Sequence, residues 1–565
     1  MIEVSRGERM TATSAQLKPA ALQRAPQNMG LVVAASAAGT AFEWYDFFLF
    51  VPLAGIISKV FFGGLNDAAA YIFALLSFAA GFATRPLGAL IFGRVGDRLG
   101  RKGTFLITIT LMGVATFAVG LMPSYAQVGV VSPILFIGLR MLQGVALGGE
   151  WGGAAIYIAE HAPADRRGYL TSWIGTSAAF GLGGALVVVL VTRTAVGEAS
   201  FAAWAWRAPF MLSAVLLAIS IWIRMRLHES PVFERLRIEG DRSKAPYAEA
   251  FGRWSNLKQV LIALFSMMVA QGAIWYCAFF YAQSFIEKIV KVRPETVNAI
   301  MIAVVVCSAP LYVFFGWLSD KVGRKIVMVC GMILTTAAIY PGFHLIVAFG
   351  NPALAEATTR APVTVTADPS TCSLQFDPVG KTQFKTSCDI AKSVLTNAGV
   401  SYRNIAAPKG ALASVKVGET VIASADGVRA DPNVLKALKA GVDAKIKAAL
   451  KAAGYPTKAD PARTNAVGVF LVILLFTVGA TALYGPQAAA MSELFPARIR
   501  YTALSLPYHI GTGWVGGFLP ATAFAMVAAT GDIYFGLWYP IVAATLAILV
   551  TLFLLPETRG RDLDL

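Results

Sequence analysis

Apolar residues run along this chain in long continuous blocks, broken by short polar turns and by two longer polar stretches. A helix rises about 1.5 Å per residue, so roughly 20 apolar residues cross the hydrocarbon layer of a bilayer. Twelve blocks reach that length: 29–58, 69–94, 103–122, 130–160, 168–194, 203–226, 257–287, 296–319, 325–349, 466–492, 501–530 and 533–556. Strands of a membrane barrel alternate apolar and polar positions. These blocks do not alternate, and they predict helices. One long polar stretch, 227–256, follows the sixth block, and the other, 350–465, separates the ninth from the tenth. The expected fold is an all-α polytopic membrane protein of twelve transmembrane helices, with an extracytoplasmic insert between helices 9 and 10.

Composition narrows this further. Of 565 residues, 56% are hydrophobic and only 14% charged, against roughly 25% charge in soluble domains. Mean hydropathy is +0.63, far too high for disorder. Five cysteines are too few for a disulfide scaffold. The net charge of +16 would suggest nucleic acid in a soluble protein, but a membrane protein retains Lys and Arg in its cytoplasmic loops. With the N-terminus inside, the cytoplasmic segments hold 25 basic residues, eight of them in 224–258. The short external loops hold six: Lys59, Arg193, Arg207, Lys288, Lys291 and Arg293. Both termini are therefore expected in the cytoplasm and the insert outside it. Residues 1–28 lack the pattern of a secretory signal and read as a tail.

The chain repeats itself. Gly93-Arg94-Val95-Gly96-Asp97-Arg98-Leu99-Gly100-Arg101-Lys102 follows the second block, and Gly316-Trp317-Leu318-Ser319-Asp320-Lys321-Val322-Gly323-Arg324-Lys325 the eighth. Both read GxxxD[RK]xGRK. Glu160 with Arg167, after the fourth block, is matched by Glu493 with Arg500 after the tenth. The second pair is more widely separated than the first, and the excess is close to the length of the insert. Two six-helix pseudo-repeats result, the second carrying an insertion. Such repeats mark transporters that rock two bundles about a midplane site. In each motif the glycines permit close helix approach. The carboxylates of Asp97 and Asp320 can cap a helix N-terminus or pair with an arginine such as Arg101 or Arg324. The motif is expected to act as a gate latch, with Gly93, Arg98 and Gly316 in its frame.

The doubled motif resembles the loop signature of the major facilitator superfamily. Phe42-Glu43-Trp44-Tyr45-Asp46-Phe47, Arg85-Pro86-Leu87-Gly88, Gly148-Gly149-Glu150-Trp151-Gly152-Gly153-Ala154, Gly485-Pro486-Gln487, Glu493-Leu494-Phe495-Pro496 and Pro556-Glu557-Thr558 are together similar to its metabolite:H⁺ symporter family. The resemblance covers the membrane part and leaves out 350–465. It implies two six-helix bundles, 29–226 and 257–349 with 466–556, joined by a cytoplasmic connector, 227–256, and followed by a short tail, 557–565. It also implies a bacterial inner-membrane symporter of organic acids (2-oxoglutarate, citrate, shikimate) or zwitterions (proline, betaine). The expected partners are a small-molecule substrate, H⁺ and the lipid bilayer, with the chain working as a monomer and without nucleic acid.

Ionisable groups inside a span are costly and mark functional candidates. Glu43 and Asp46 share a helix face, where mutual repulsion would make one hold a proton; the alternative is that both pair with arginines. Arg140 can bind a substrate carboxylate or tune a neighbouring acid. Glu150 lies nearly three turns further on, on about the same face. Glu43, Asp46, Arg85, Arg140 and Glu150 are expected to form a polar core in the first half, with a structural ion-pair network as the alternative for Arg85 and Glu150. Gln143, Gln271, Tyr276, Tyr484, Gln487 and His509 are candidates for orienting substrate, although a lone histidine such as His509 is more often a hydrogen-bonded core residue.

The insert shows strand-like alternation at Val363–Thr366 and Ala413–Val417, and an amphipathic helix at 433–453 with Leu435, Leu438, Val442, Ile446 and Leu450 on one face. It reads as a small α/β module, or as a basic vestibule that gathers anions. Cys372 and Cys388 are the only cysteines outside the apolar blocks and are expected to pair in an oxidising compartment. The sequence offers no zinc spacing, P-loop or nucleophile elbow. Neither enzyme, metal site nor cofactor is expected. Two functions fit: a proton-coupled importer working by alternating access, or a transporter-fold sensor signalling through the insert.

Overall fold

The computed structural model describes residues 29–64, 67–373 and 384–563. The tail expected over 1–28 lies outside them. Among the described residues, ten helices are long and apolar enough to cross a membrane: Arg101–Leu121, Val131–His161, Arg167–Val196, Ala205–Met225, Trp254–Val290, Pro294–Val322, Arg324–Gly350, Ala466–Leu494, Arg500–Val527 and Phe535–Phe553. Met29–Phe48 and Pro52–Phe61 form an eleventh span bent by 50°. The sequence pattern counts twelve. The remaining block, 69–94, is occupied by the helix Asp67–Leu99, which continues through Pro86. The chain is a multi-pass membrane protein, and its spans are numbered one to twelve below.

Span two turns into span three at Gly100, and span eight into span nine at Gly323. Their φ angles are +112° and +111°, a region that excludes a β-carbon. This is why the repeated motif carries glycine directly before Arg101 and Arg324. Span seven departs from a regular α-helix at Leu264–Met268, Cys277–Tyr281 and Ile286–Val290, which are π-helical, as is Ile510–Gly516 in span eleven. π-Turns concentrate at functional positions in helices. Apolar pattern alone does not reveal them, because one extra residue per turn leaves a buried helix equally apolar.

The insert is built on a four-stranded sheet: β1 (Val363–Ala367), β2 (Tyr402–Ala406), β3 (Ser414–Val417) and β4 (Thr420–Ala423), in the order β2-β1-β3-β4. β1 pairs parallel with β2 and antiparallel with β3. Val363, Val365, Val415 and Val417 point to the buried face, as their alternation requires. The helix Pro432–Ala452 buries Leu435, Val442, Ile446 and Leu450. β2, β4 and the helices Pro352–Arg360 and Ser387–Ala398 add to what the sequence pattern anticipates.

Cys372 and Cys388 form a disulfide with Cα atoms 5.2 Å apart. The two cysteines are 16 residues apart, and closing such a loop stabilises a fold by about 3 kcal/mol through lost chain entropy. Cys388→Ser is therefore expected to accelerate amide exchange in Ser387–Ala398 and in β1, with spans one to six unchanged. Equal protection in the variant would show that the bond does not hold the module.

Candidate functional site

The two halves meet at one end through a set of buried charges. Asp97, at the end of span two, accepts hydrogen bonds from the backbone N–H of Tyr501 (3.1 Å) and Thr502 (2.9 Å), the first turn of span eleven. Asp320, at the end of span eight, accepts from the N–H of Gly168 (2.9 Å) and Tyr169 (2.7 Å), the first turn of span five. Each carboxylate thus caps a helix of the opposite half, where unsatisfied N–H groups and the helix dipole favour an anion. Gly93 and Gly316 make the approach possible. A β-carbon at Gly93 would stand 2.9 Å from Thr502 Cα, and one at Gly316 2.6 Å from the Gly168 carbonyl oxygen.

Around each cap lies the same ion-pair network. Glu160 binds Arg101 at 3.3 Å and Arg500 at 2.7 Å. Glu493 binds Arg324 at 3.3 Å and Arg167 at 2.8 Å. Arg101 also faces Asp97 at 3.5 Å, as Arg324 faces Asp320 at 2.5 Å. Arg98 stands apart and donates to the connector carbonyl of Lys244. The network extends beyond the repeated motif. Glu229 accepts from the N–H of Arg101 at 3.0 Å, and Glu557 from the N–H of Arg324 at 3.0 Å. Ser230 donates to Glu160, and Thr558 to Glu493 at 2.9 Å. Glu229-Ser230 is therefore the repeat partner of Glu557-Thr558, a pairing that the two letters Glu-Ser and Glu-Thr already carry. The two caps differ in electrostatics. Burial pushes Glu229 above the usual carboxylate range. Burial also raises Glu557, but the N–H groups of Arg559, Arg324, Lys325 and Thr558 outweigh it and hold it below.

The five residues expected as one polar core fall into separate groups. Glu43 (span one) and Glu150 (span four) meet at Arg224 (span six), a residue that its sequence position groups with the connector. Arg224 reaches Glu150 at 2.7 Å through Nη2 and at 3.4 Å through Nη1. It reaches Glu43 Oε1 only at 3.5 Å, and Glu43 Oε2 is buried without a hydrogen-bond partner among the described residues. Thr108 and Thr40 donate to Glu150 at 3.2 and 3.4 Å. Asp46 belongs elsewhere. It accepts from Ser213, with Thr116 beside it. Gln143 donates to Thr116 at 2.9 Å and accepts from Arg140 at 2.6 Å.

Arg85 faces the other half. Its guanidinium lies over Phe82 at 4.1 Å, Phe47 at 4.5 Å and Trp44 at 5.7 Å. Arg140 lies over the same Phe47 ring at 4.9 Å. Arg85 is fully buried, its Nε and Nη2 make no hydrogen bond, and it forms no ion pair among the described residues. Tyr276 from span seven is its hydrogen-bond partner. Trp151 of span four stacks on Tyr508 with centroids 3.7 Å apart, and Tyr484 lies 3.3 Å from Tyr508, hydroxyl to hydroxyl. Gln487 donates to Met268 Sδ, and its Oε1, both His509 ring nitrogens and Gln271 Oε1 are buried without a hydrogen-bond partner among the described residues. Buried polar atoms are nearly always bonded. These exceptions lie on spans seven, ten and eleven of the second half.

Glu160 and Glu493 each neutralise two arginines. Glu160→Gln leaves Arg500 without an ion pair among the described residues and Arg101 with Asp97 alone, and breaking such a buried pair costs about 3–5 kcal/mol. Alkylation of Ser505→Cys, whose wild-type hydroxyl lies where a Gly152 β-carbon would stand 2.4 Å away, is expected to rise at least tenfold in Glu160→Gln. An unchanged rate would show that the network does not hold the halves together.

The family profile described as "Sugar (and other) transporter" matches residues 31–245 and 448–565 and passes over most of the insert. A second, "MFS/sugar transport protein", matches 156–366. The proline/betaine transporter of Salmonella typhimurium is 35% identical over 326 residues, 56% of this chain and 64% of that protein. The chain thus spans just under two thirds of the proline/betaine transporters it matches. The inner membrane metabolite transport protein YhjE of Escherichia coli is 34% identical over 57% of this chain and 74% of its own length. The shikimate transporter of Escherichia coli is 33% identical over 54% and 70%. The structure of the proton:xylose symporter XylE bound to 6-bromo-6-deoxy-D-glucose superposes with a TM-score of 0.62 at 15% identity, covering 95% of this chain and 98% of that one. That likeness establishes the fold. With a profile matched over more than half its length and YhjE covered over 74%, the chain belongs to the sugar (and other) transporter family of the major facilitator superfamily, a family of transporters and not of enzymes.

Proposed function

We propose that the chain is a proton-coupled secondary transporter that imports a small carboxylate-bearing solute, an organic acid or a zwitterion, by alternating access. The observation that carries this reading is a charge imbalance. Glu43 and Glu150 share one guanidinium, Arg224, which gives Glu150 two hydrogen bonds, the shorter at 2.7 Å, and Glu43 a single one at 3.5 Å. One carboxylate is left in a buried site without compensation, which is unfavourable in low dielectric. A single proton on Glu43 closes the count. Neutralisation by a proton that can leave again is what coupling requires.

The substrate end of the site has the opposite excess. Arg85 is a buried cation with two donor nitrogens unused, set among Trp44, Phe47 and Phe82. A guanidinium with free donors fits a carboxylate, and the aromatic faces around it suit the apolar or cationic body of such a solute. The names of the relatives agree in chemistry: proline, betaine and shikimate each carry one carboxylate. Span one joins the two sites. Glu43 and Asp46 face spans four and six, while Trp44 and Phe47 face Arg85. Span four repeats the arrangement with Glu150 beside Trp151. The positive-inside count supports an orientation with the latch loops and both termini in the cytoplasm and the insert outside it; our reading takes the membrane as a bacterial inner membrane and the chain as a monomer.

Reconstitution into liposomes with an internal pH dye tests the reading. One of 2-oxoglutarate, citrate, shikimate, betaine or proline added outside is expected to acidify the interior. Glu43→Gln is expected to abolish acidification, and Arg85→Ala to lower uptake at least tenfold. Uptake without acidification, unchanged in Glu43→Gln, would sink proton coupling.

A further inference from the structure

Tyr501 belongs to the second half, as the second residue of span eleven, yet its side chain lies inside the first half. It is fully buried. Its hydroxyl donates to the carbonyl of Gly149 at 2.6 Å, one residue before Glu150. The ring fills a notch cut by two glycines: a β-carbon at Gly96 would stand 2.3 Å from the ring, and one at Gly153 2.3 Å from the hydroxyl. The same Gly153 β-carbon would meet Phe105 at 3.1 Å, and the Phe105 carbonyl accepts from Arg224 at 3.3 Å. The charged groups facing Tyr501 are Glu150, Arg101, Asp97, Glu43 and Arg224, so it stands between the latch and the acid pair. Its backbone N–H is the one Asp97 holds.

The other half offers a control. Asp320 caps Gly168 and Tyr169 as Asp97 caps Tyr501 and Thr502. The counterpart of Tyr501 is therefore Gly168, which has no side chain to send across. The asymmetry follows the acids, since the Glu43–Glu150–Arg224 cluster is in the half that receives the tyrosine.

We propose that Tyr501 is the plug on the latch side of the proton site, a positioning residue that admits water to Glu43 and Glu150 only when the latch parts. The inference rests on the proton-coupling reading above. With Asp97 holding the first turn of span eleven, the ring occupies the space between the acid pair and latch-side solvent. Release of that turn withdraws the ring and frees the Gly149 carbonyl for water. The O–H bond of Glu43 then breaks, the proton passes to water as hydronium, and the carboxylate left behind keeps the electron pair beside Arg224. Proton release is thereby confined to the conformer whose latch is open.

The test is proton leak in liposomes holding the full chain, under an imposed pH gradient and without substrate. Tyr501→Ala is expected to leak at least tenfold faster than wild type, and Tyr501→Ala with Glu43→Gln no faster than wild type. Gly153→Ala, whose methyl would displace the hydroxyl, is expected to leak with Tyr501 intact, and Tyr501→Phe to leak less than Tyr501→Ala. A Tyr501→Ala chain that melts cooperatively and does not leak overturns the plug, as does a leak that persists in the double variant. Should Tyr501→Ala fail to fold, absence of leak in both Gly153→Ala and Tyr501→Phe overturns it instead. Substrate-driven acidification by the wild type is read separately: its absence alongside a Glu43-dependent leak removes symport and leaves the plug standing.

Discussion

A carboxylate taken out of water must find donors, and at the latch end each half meets that demand only with groups from the other. Asp97 takes the N–H groups of span eleven, and Asp320 those of span five. Glu160 and Glu493 each close on one arginine from either half, Arg101 with Arg500 and Arg324 with Arg167. Neither half can bury these charges alone. Separating the halves must rehydrate all of them together, because a partly satisfied network is worse than either end state. That requirement makes the contact two-state, closed with every partner in place or open with every partner in water. The glycines at 93, 96 and 316 follow from the same constraint, since the caps reach their targets only if the helices touch.

The two halves share this latch and differ in what lies behind it. The first half holds two carboxylates for one arginine at Glu43, Glu150 and Arg224, and an arginine without an ion pair among the described residues at Arg85. The second half presents Tyr276, Tyr484, Tyr508, Gln487 and His509. A negative excess and a positive excess in one half invite a proton and an anion respectively. Neither excess extends into the other, because spans one and four set acids and aromatics on different faces. Residues one apart on a helix point about 100° away from each other. Glu43–Trp44 and Glu150–Trp151 therefore serve two sites from single helices. Movement of either helix is felt at both.

Much of the fold is legible in the sequence because it rests on pattern. Continuous apolar blocks locate the helices, and the repeated GxxxD[RK]xGRK exposes the pseudo-symmetry and the insertion together. Asp97 and Asp320 are readable as caps or arginine partners, and they are both. The polar core is less legible. Arg224 ends its span next to a basic connector, and a terminal arginine looks like a loop charge until the partner helices are known. The spacing of Glu43 and Asp46 suggests mutual repulsion. In the structure Glu43 turns to Glu150 and Arg224, while Asp46 turns to Ser213. Three residues along a helix fall about 60° short of a full turn, an offset that different neighbours can exploit. Arg140 and Gln143 share a turn, which spacing does show, but that they lead to Asp46 through Thr116 rather than to Glu150 is settled only by packing.

The insert adds a mechanical consequence. Span nine runs from Arg324 at the latch to Gly350, so the insert grows from the opposite end of the bundle. Its attachments lie on the second half. The N–H of Tyr402 donates to Gly531 at 2.8 Å, Asn404 to Thr530 at 2.6 Å, the N–H of Ile533 to Ser401 at 3.0 Å, and the N–H of Ala459 to Lys291 at 3.0 Å. These contacts tie the loop after span seven to the loop between spans eleven and twelve. Spans seven and eleven are the two helices whose π-turns pack together, with a β-carbon at Gly511 standing 2.5 Å from Met268. A sheet and three helices fastened beyond the C-terminal ends of both spans resist their relative motion at that end. An insert fastened in this way belongs to the second half, so any displacement between the halves is a displacement of the first half, which holds the acids, relative to the insert.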